Sequence, residues 1–86
     1  MGEIRKDPDY ERLENLLIQK LGIDRDIIKA DSKLGNDLGC DSLDYLELIL
    51  DAEKIFGIII LDKEAEKAVT VHDAFNLIKS KIIIKG

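Results

Sequence analysis

The sequence predicts an all-α protein, a small four-helix bundle made of three main helices and one short helix, with a long loop between the first two. Apolar residues recur at helical spacing in three separate segments, and residues that favour helix ends flank those segments. Alternation with a period of two is not convincing outside two isoleucine-rich runs, residues 56–61 and 82–84. A lone short strand would have no partner, so we expect these runs to form a linker and a helix end.

The length of 86 residues provides for one domain, residues 1–86, at a size where a single hydrophobic core is only just sufficient. Cys40 is the one cysteine, so no intramolecular disulfide can form, and Cys40 and His72 cannot supply a four-ligand zinc site. We therefore predict no metal site, and we expect helix packing to provide the stability.

The distribution of charge is more informative than its total. A net charge of −5 argues against nucleic acid as a partner, because phosphate backbones are bound by clustered Lys and Arg. Residues 31–53 contain seven carboxylates against Lys33 alone, so this segment carries more than the whole net negative charge of the chain. The acidity is local.

Apolar stretches are too short for a membrane span, which needs about 20 apolar residues. The first ten residues are charged and contain no apolar region of a signal peptide. We expect a cytoplasmic protein that does not insert into membranes.

The first helix is predicted to begin after Asp7 and Pro8, which suit the N-cap and N1 positions, and to end at Gly22. Four leucines recur at helical spacing between these ends: Leu13, Leu16, Leu17 and Leu21. Residues 23–38 show no sustained period, so a long loop is predicted. Three aliphatic side chains are expected to anchor it to the core: Ile27, Ile28 and Leu34.

The C-terminal part of the chain predicts a short polar helix over Asp62–Lys67 and a longer final helix. Thr70 and Asp73 fit a capping pair at the start of the final helix. One face of that helix carries Val71, Ala74, Phe75 and Ile78. Three lysines are expected to complement the negative end of its dipole: Lys79, Lys81 and Lys85.

The second helix, predicted from Asp41 or Ser42 to near Gly57, carries two apolar faces. The core-facing stripe comprises Tyr45, Leu48, Ile49, Ala52 and Phe56. The other face, here called the leucine stripe, comprises Leu43, Leu46 and Leu50, and it lies beside the acidic residues Asp44, Glu47 and Asp51. An exposed leucine stripe flanked by carboxylates would mark a surface for a basic partner. The alternative is that these leucines cover the short helix or the loop.

Ser42 stands at the head of the second helix. Helix N-termini favour anions through their free N–H groups and the helix dipole, so a phosphodiester on the Ser42 oxygen would lie in a suitable field. On the residues alone, a simple cap is the favoured alternative, because serine is among the commonest N-cap residues.

Residues 37–48, with the sequence DLGCDSLDYLEL, resemble the phosphopantetheine attachment motif of acyl carrier proteins. The resemblance covers residues 13–78 without an obvious insertion. In that family the serine between Asp and Leu is the attachment point, which implies a covalent 4′-phosphopantetheine on Ser42. A phosphopantetheinyl transferase, using coenzyme A and magnesium, would attach it.

The resemblance further implies a carrier without catalytic residues of its own, a monomer that presents growing fatty acyl thioesters to fatty acid synthesis enzymes with basic docking patches. The family's docking surface maps here onto Asp41, Leu43, Asp44, Leu46, Glu47, Leu50 and Glu53. Family members also fold the acyl chain back between their helices. The expected lining of that space comprises Leu34, Leu48, Ala52, Ile60, Ala65 and Ile78.

The chain departs from the family pattern in several places. Cys40 stands where the family has a small apolar residue, and we expect an apolar filler rather than a reactive thiol. Leu61 replaces a common Pro, which would make the approach to the short helix less rigid. Lys54 and Ile55 replace common acidic residues and would shift docking towards the start of the second helix. His72 is expected on the surface.

Two alternatives to a fatty acyl carrier stay open at this point. A peptidyl, D-alanyl or polyketide carrier would share the fold and the modified serine but would serve other enzymes. An unmodified acidic helical adaptor would bind basic partners without any arm.

Overall fold

Four α-helices follow one another in the computed structural model, which describes the backbone of residues 7–85 and the side chains of residues 7–82. They are α1 (Pro8–Leu21), α2 (Ser42–Phe56), α3 (Asp62–Lys67) and α4 (Val71–Lys85), with a 3-10 turn at Arg25–Ile27. No strand forms within the described residues, and Lys33 and Thr70 make only an isolated antiparallel bridge. The all-α prediction is confirmed. None of these helices is long and apolar enough to cross a membrane.

Helix α1 begins and ends as its capping residues predict. The carboxylate of Asp7 accepts a hydrogen bond from the N–H of Asp9 at 2.8 Å, and Pro8 occupies the first helical position. Gly22 closes the helix with φ at 64° and donates its N–H to the carbonyl of Ile18 at 2.9 Å. Glycine suits this position because side chains disfavour the left-handed conformation.

The core lies between α1, α2 and α4 and is mostly aliphatic. Helix α1 packs against both α2 and α4, while α3 packs against α4. The largest fully buried side chains are Tyr10, Leu13, Leu17, Ile28 and Val71. The rings of Tyr10 and Phe75 meet edge to face, with centroids 5.2 Å apart. Burial of a large aliphatic side chain such as Leu17 or Ile28 contributes about 1.5–3 kcal/mol to the free energy of folding. The core therefore supplies the main stabilisation.

The long loop is held against the start of α4 by backbone hydrogen bonds. The N–H of Leu34 donates to the carbonyl of Val69 at 2.9 Å, and the N–H of Val71 donates to the carbonyl of Ser32 at 3.0 Å. Leu34 is buried, which confirms it as an anchor of the loop. The loop is thus a fixed part of the bundle.

Only one of the two adjacent isoleucines in this loop anchors it. Ile28 is fully buried, whereas Ile27 is 47% exposed, so the expectation for Ile27 was wrong. Neighbouring side chains point apart in so tight a turn, and Ile28 takes the inward position.

The start of α4 follows the predicted capping pair. The N–H of Asp73 donates to Thr70 Oγ1 at 3.1 Å, and the N–H of Thr70 donates to Asp73 Oδ2 at 3.1 Å. The N–H of Val69 also donates to Asp73 Oδ2, at 3.0 Å. The hydrogen bonds from the N–H groups of Thr70 and Val69 hold the pKa of Asp73 below its ordinary value. His72, the preceding residue, is exposed as expected.

The lysines of α4 act differently from the prediction. Lys79 Nζ lies 3.0 Å from Asp9 Oδ2 and 3.2 Å from Asp7 Oδ2, and Lys81 Nζ lies 2.7 Å from Glu64 Oε2. The assignment of Lys79 and Lys81 to the C-terminus of their own helix was therefore wrong. Their long side chains reach carboxylates on α1 and α3 instead, which are stronger acceptors than backbone carbonyls. The side chain of Lys85 lies outside the described residues.

Candidate functional site

Ser42 is the first residue of α2 and not its cap. The N-cap is Asp41, whose carboxylate accepts a hydrogen bond from the N–H of Asp44 at 2.8 Å. Ser42 is exposed, and its hydroxyl makes no hydrogen bond with any residue that the structure describes. The alternative in which Ser42 is simply the cap is therefore wrong, because Asp41 performs that task. The serine oxygen is left accessible to a reagent.

The residues before Ser42 form a tight loop that leads into α2. The N–H of Lys33 donates to the carboxylate of Asp37 at 2.8 Å, and the N–H of Cys40 donates to the carbonyl of Leu34 at 2.9 Å. Gly39 has φ at 75°, in the left-handed region that glycine adopts without strain. Asp37 and Gly39 of the attachment motif therefore build the loop that presents Ser42.

Two shallow grooves meet at Ser42 and Tyr45. The first, of about 250 Å³, lies against the long loop and is lined also by Leu34, Gly35, Cys40, Asp41, Ala68 and Val69. The second, of about 210 Å³, runs along α2 towards α3 and is lined also by Leu46, Ile49, Asp62, Ala65 and Glu66. Two surface paths therefore start beside the Ser42 side chain.

Cys40 is a buried, protonated thiol beside the site. Burial, with Asp44 and Asp41 nearby, raises the pKa of Cys40 to about 11. Its Sγ lies 3.8 Å from the carbonyl oxygen of Asp41. The prediction of an apolar filler is confirmed, since a thiol that stays protonated is a poor nucleophile.

The two faces of α2 are arranged as the periodicity predicts. Leu48 and Ala52 are buried, and Tyr45, Ile49 and Phe56 are half-buried. In the leucine stripe, the exposed fractions are 64% for Leu43, 54% for Leu46 and 48% for Leu50. The alternative in which these leucines cover the loop or the short helix is therefore wrong.

The carboxylates along α2 differ in how freely they face solvent. Lys20 of α1 places its Nζ 2.7 Å from Asp51 Oδ2 and 3.9 Å from Glu47 Oε1. Its hydrogen bond to Asp51 raises the pKa of Lys20. The carboxylate of Glu53 accepts a hydrogen bond from the N–H of Ile60 at 2.8 Å and so holds the segment that follows α2. Asp41 and Asp44, near Ser42, form no direct ion pair with any side chain that the structure describes.

An apolar cavity of about 30 Å³ lies under α2. Its lining includes every residue that the sequence assigned to an acyl space except Leu34: Leu48, Ala52, Ile60, Ala65 and Ile78. Leu34 does not line this cavity and lines the first groove instead. Tyr45 lines the cavity as well and donates its hydroxyl to the carbonyl of Ala65 and, at 3.2 Å, to that of Ala68.

Residues 11–76 match the protein family described as the phosphopantetheine attachment site. Among curated relatives, the chain is 48% identical over 67 residues to "Acyl carrier protein" of Chloroherpeton thalassium, covering 78% of this chain and 84% of that protein. It is 42% identical over 71 residues to "Acyl carrier protein" of Chlorobium phaeobacteroides, covering 83% of this chain and 91% of that protein. The chain belongs to the family of acyl carrier proteins, whose cofactor is 4′-phosphopantetheine.

The head of α2 fits this cofactor. The Ser42 hydroxyl is exposed and unbonded within the described chain, and the two grooves offer room for an arm about it. The first turn of the helix also provides backbone N–H groups without intrahelical acceptors, which suits a phosphodiester.

Proposed function

We propose that this chain carries fatty acyl groups as thioesters on a 4′-phosphopantetheine arm attached to Ser42 and presents them to fatty acid synthesis enzymes. Asp41 and Ser42 have different roles at the head of α2. Asp41 holds the helix start through Asp44, and the Ser42 hydroxyl projects into solvent without a partner in the described chain. A phosphopantetheinyl transferase can reach an oxygen in that position without unfolding the bundle.

Two features of the chain itself then favour the arm on Ser42 as the carrier of the acyl group. The dipole of the 15-residue α2 favours the phosphodiester on Ser42. When bound, the arm supplies a thiol that holds the acyl group as a thioester, which activates the carbonyl and makes the neighbouring carbon acidic. Cys40 does not compete for the acyl group, because its thiol is buried and protonated.

The leucine stripe and the carboxylates near Ser42 are the docking surface in this proposal. The surface comprises Asp41, Leu43, Asp44, Leu46, Glu47, Leu50 and Glu53. Leucines that are about half exposed give contact area, and the carboxylates steer a basic partner surface. Exposed ion pairs are weak, so the contacts with the transferase and with successive enzymes would be brief. Glu53 contributes its charge to this surface, and its carboxylate also accepts the hydrogen bond from the N–H of Ile60.

A fatty acyl cargo is favoured by the cavity under α2. Its lining is almost wholly apolar and aliphatic, which suits a hydrocarbon chain better than an amino acid with its charged amine. Both relatives named above are called acyl carrier proteins. A peptidyl, D-alanyl or polyketide cargo would use the same serine.

We also propose that the protein is a monomer and is located in the cytoplasm, as expected from the sequence.

Mass spectrometry of the protein incubated with coenzyme A, magnesium and a transferase tests the attachment. We expect the intact mass to rise by about 340 Da, the mass of the arm. Ser42→Ala should show no rise. Ser80→Ala is the matched control, since Ser80 is also exposed and lies on another helix, with its hydroxyl donated to the carbonyl of Leu77. Wild-type protein that stays unmodified would favour the adaptor hypothesis.

A further inference from the structure

Tyr45 separates the surface at Ser42 from the cavity under α2. The second groove begins at Ser42 and is lined by Tyr45, Ile49 and Ala65, and the same three residues line the cavity. A hydrocarbon chain that starts near Ser42 and follows this groove meets the cavity at Tyr45. The passage between the two spaces therefore lies between α2, which carries Tyr45, and α3, which carries Ala65.

The cavity is too small for an acyl chain in the structure described. Its volume is about 30 Å³, whereas an apolar cavity of about 150 Å³ is what binds a benzene ring in a protein core. A chain of several carbons must therefore widen the space. Helix α3 is the element that can give way, since it is only 6 residues long and its main helical neighbour is α4.

The Tyr45 hydroxyl ties α3 to α2 at this passage. It donates to the carbonyls of Ala65 and Ala68, at the C-terminal end of α3, where both alanines are buried. Burial raises the pKa of Tyr45, so the phenol is protonated at neutral pH and is available as a donor. Moving α3 away from α2 removes this donor from both carbonyls.

We propose that Tyr45 is a gate that sets the length of acyl chain admitted to the cavity, an inference that rests on the proposed function. While its hydroxyl holds the Ala65 and Ala68 carbonyls, α3 stays close to α2 and a short chain remains on the surface of the protein. A longer chain buries enough apolar area to offset the loss of these hydrogen bonds and enters. The gate thus selects by length, because the cost of opening is constant while the gain grows with each methylene.

Hydrogen exchange on the unloaded protein tests the first part of the proposal. Tyr45→Phe keeps the ring and removes the hydroxyl. The closed state therefore loses its donor to both carbonyls, whereas the open state already lacks that donor and is not affected. We expect the amides of Ala65 and Ala68 to exchange about tenfold faster in this variant. Tyr10→Phe is the matched control, since Tyr10 is buried against Phe75 and does not line the cavity. It should leave the ratio of α3 exchange to α2 exchange unchanged.

Melting of protein loaded with butyryl, octanoyl or dodecanoyl arms tests the second part. We expect octanoylation to raise the melting temperature of Tyr45→Phe by roughly 5 °C more than that of the unaltered protein, with little difference for butyryl. Equal gains at every chain length in Tyr45→Phe, Tyr10→Phe and the unaltered protein would overturn the gate. Intact mass is recorded first: protein that takes up no arm would contradict the proposed function and the gate with it, whereas fully loaded protein with equal gains would contradict the gate alone.

Discussion

The carboxylate of Asp41 accepts a hydrogen bond from the backbone N–H of Asp44, with 2.8 Å between the oxygen and the nitrogen. This bond gives α2 its cap one residue before Ser42. The serine is therefore spared a structural role, and a group can be attached to its oxygen without loss of the cap.

Substitutions of Asp41 should distinguish the effect of its capping hydrogen bond on stability from the effect of its charge on partner binding. Asp41→Ala removes both and is expected to lower the free energy of unfolding by about 1 kcal/mol, the usual value of an N-cap. Asp41→Asn keeps an acceptor oxygen and should unfold at nearly the wild-type urea concentration, while a transferase loads it more slowly because a charge near Ser42 is lost. Equal destabilisation by Ala and Asn would show that the cap is not the stabilising feature.

Lys20 should weaken the attraction of basic partners to α2, because it pairs with Asp51 and approaches Glu47. We expect Lys20→Gln to lower the KM of the transferase for this protein by about twofold to fivefold at low salt. The gain should disappear at about 0.5 M salt, where exposed charges are screened. Lys63→Gln makes the same change in net charge at an exposed position on α3 and should leave KM unaltered. Equal effects of both substitutions would count against a local role for Lys20.

Cys40 should resist alkylation in the folded protein. With a pKa of about 11 against an ordinary value of 9.0, its thiolate fraction at pH 8 is about one hundredth of that in the unfolded chain. Iodoacetamide should therefore label Cys40 at least about 100-fold more slowly in buffer than in urea, as followed by intact mass, with Cys40→Ala as the blank. Labelling within minutes in buffer would show that the thiol is neither buried nor protonated.

The protein should lose stability in acid through Asp73. Hydrogen bonds from the N–H groups of Thr70 and Val69 hold the pKa of Asp73 below its model-peptide value of 3.8. A carboxyl whose pKa is lower in the folded state stabilises the fold above its unfolded pKa, and this contribution is lost as the pH falls through the folded pKa. The melting temperature should therefore fall below about pH 4. Asp73→Asn should melt lower than wild type at pH 6 but show a shallower fall, and an unchanged slope would contradict this role.

The helices were predictable from the sequence because their ends are set by local contacts. Asp7, Gly22 and the pair of Thr70 and Asp73 bond within a few residues of themselves, so a pattern in the chain is enough to recognise them. The same holds for the leucine stripe, since helical spacing alone decides which side chains share a face.

Contacts between helices were not predictable in this way. The pairs formed by Lys20 with Asp51 and by Lys79 with Asp9 join residues far apart in the chain, and nothing in the spacing shows which long side chain reaches which carboxylate. The role of Asp41 as the cap was also missed in favour of Ser42, because both residue types are common caps. The hydrogen bond from the Tyr45 hydroxyl to the carbonyl of Ala65 depends on the position of α3, which the periodicity of the sequence does not predict.

The intact mass of the protein purified from its own cells, followed by fragmentation to locate the added group, tests both the arm on Ser42 and its cargo. We expect a chain heavier than the bare sequence by the arm of about 340 Da, with a fraction heavier still by fatty acyl groups, and all of the added mass on Ser42. A chain that is always bare in cells would contradict the carrier function. An arm on Ser42 that bears only amino acids would contradict the fatty acyl cargo.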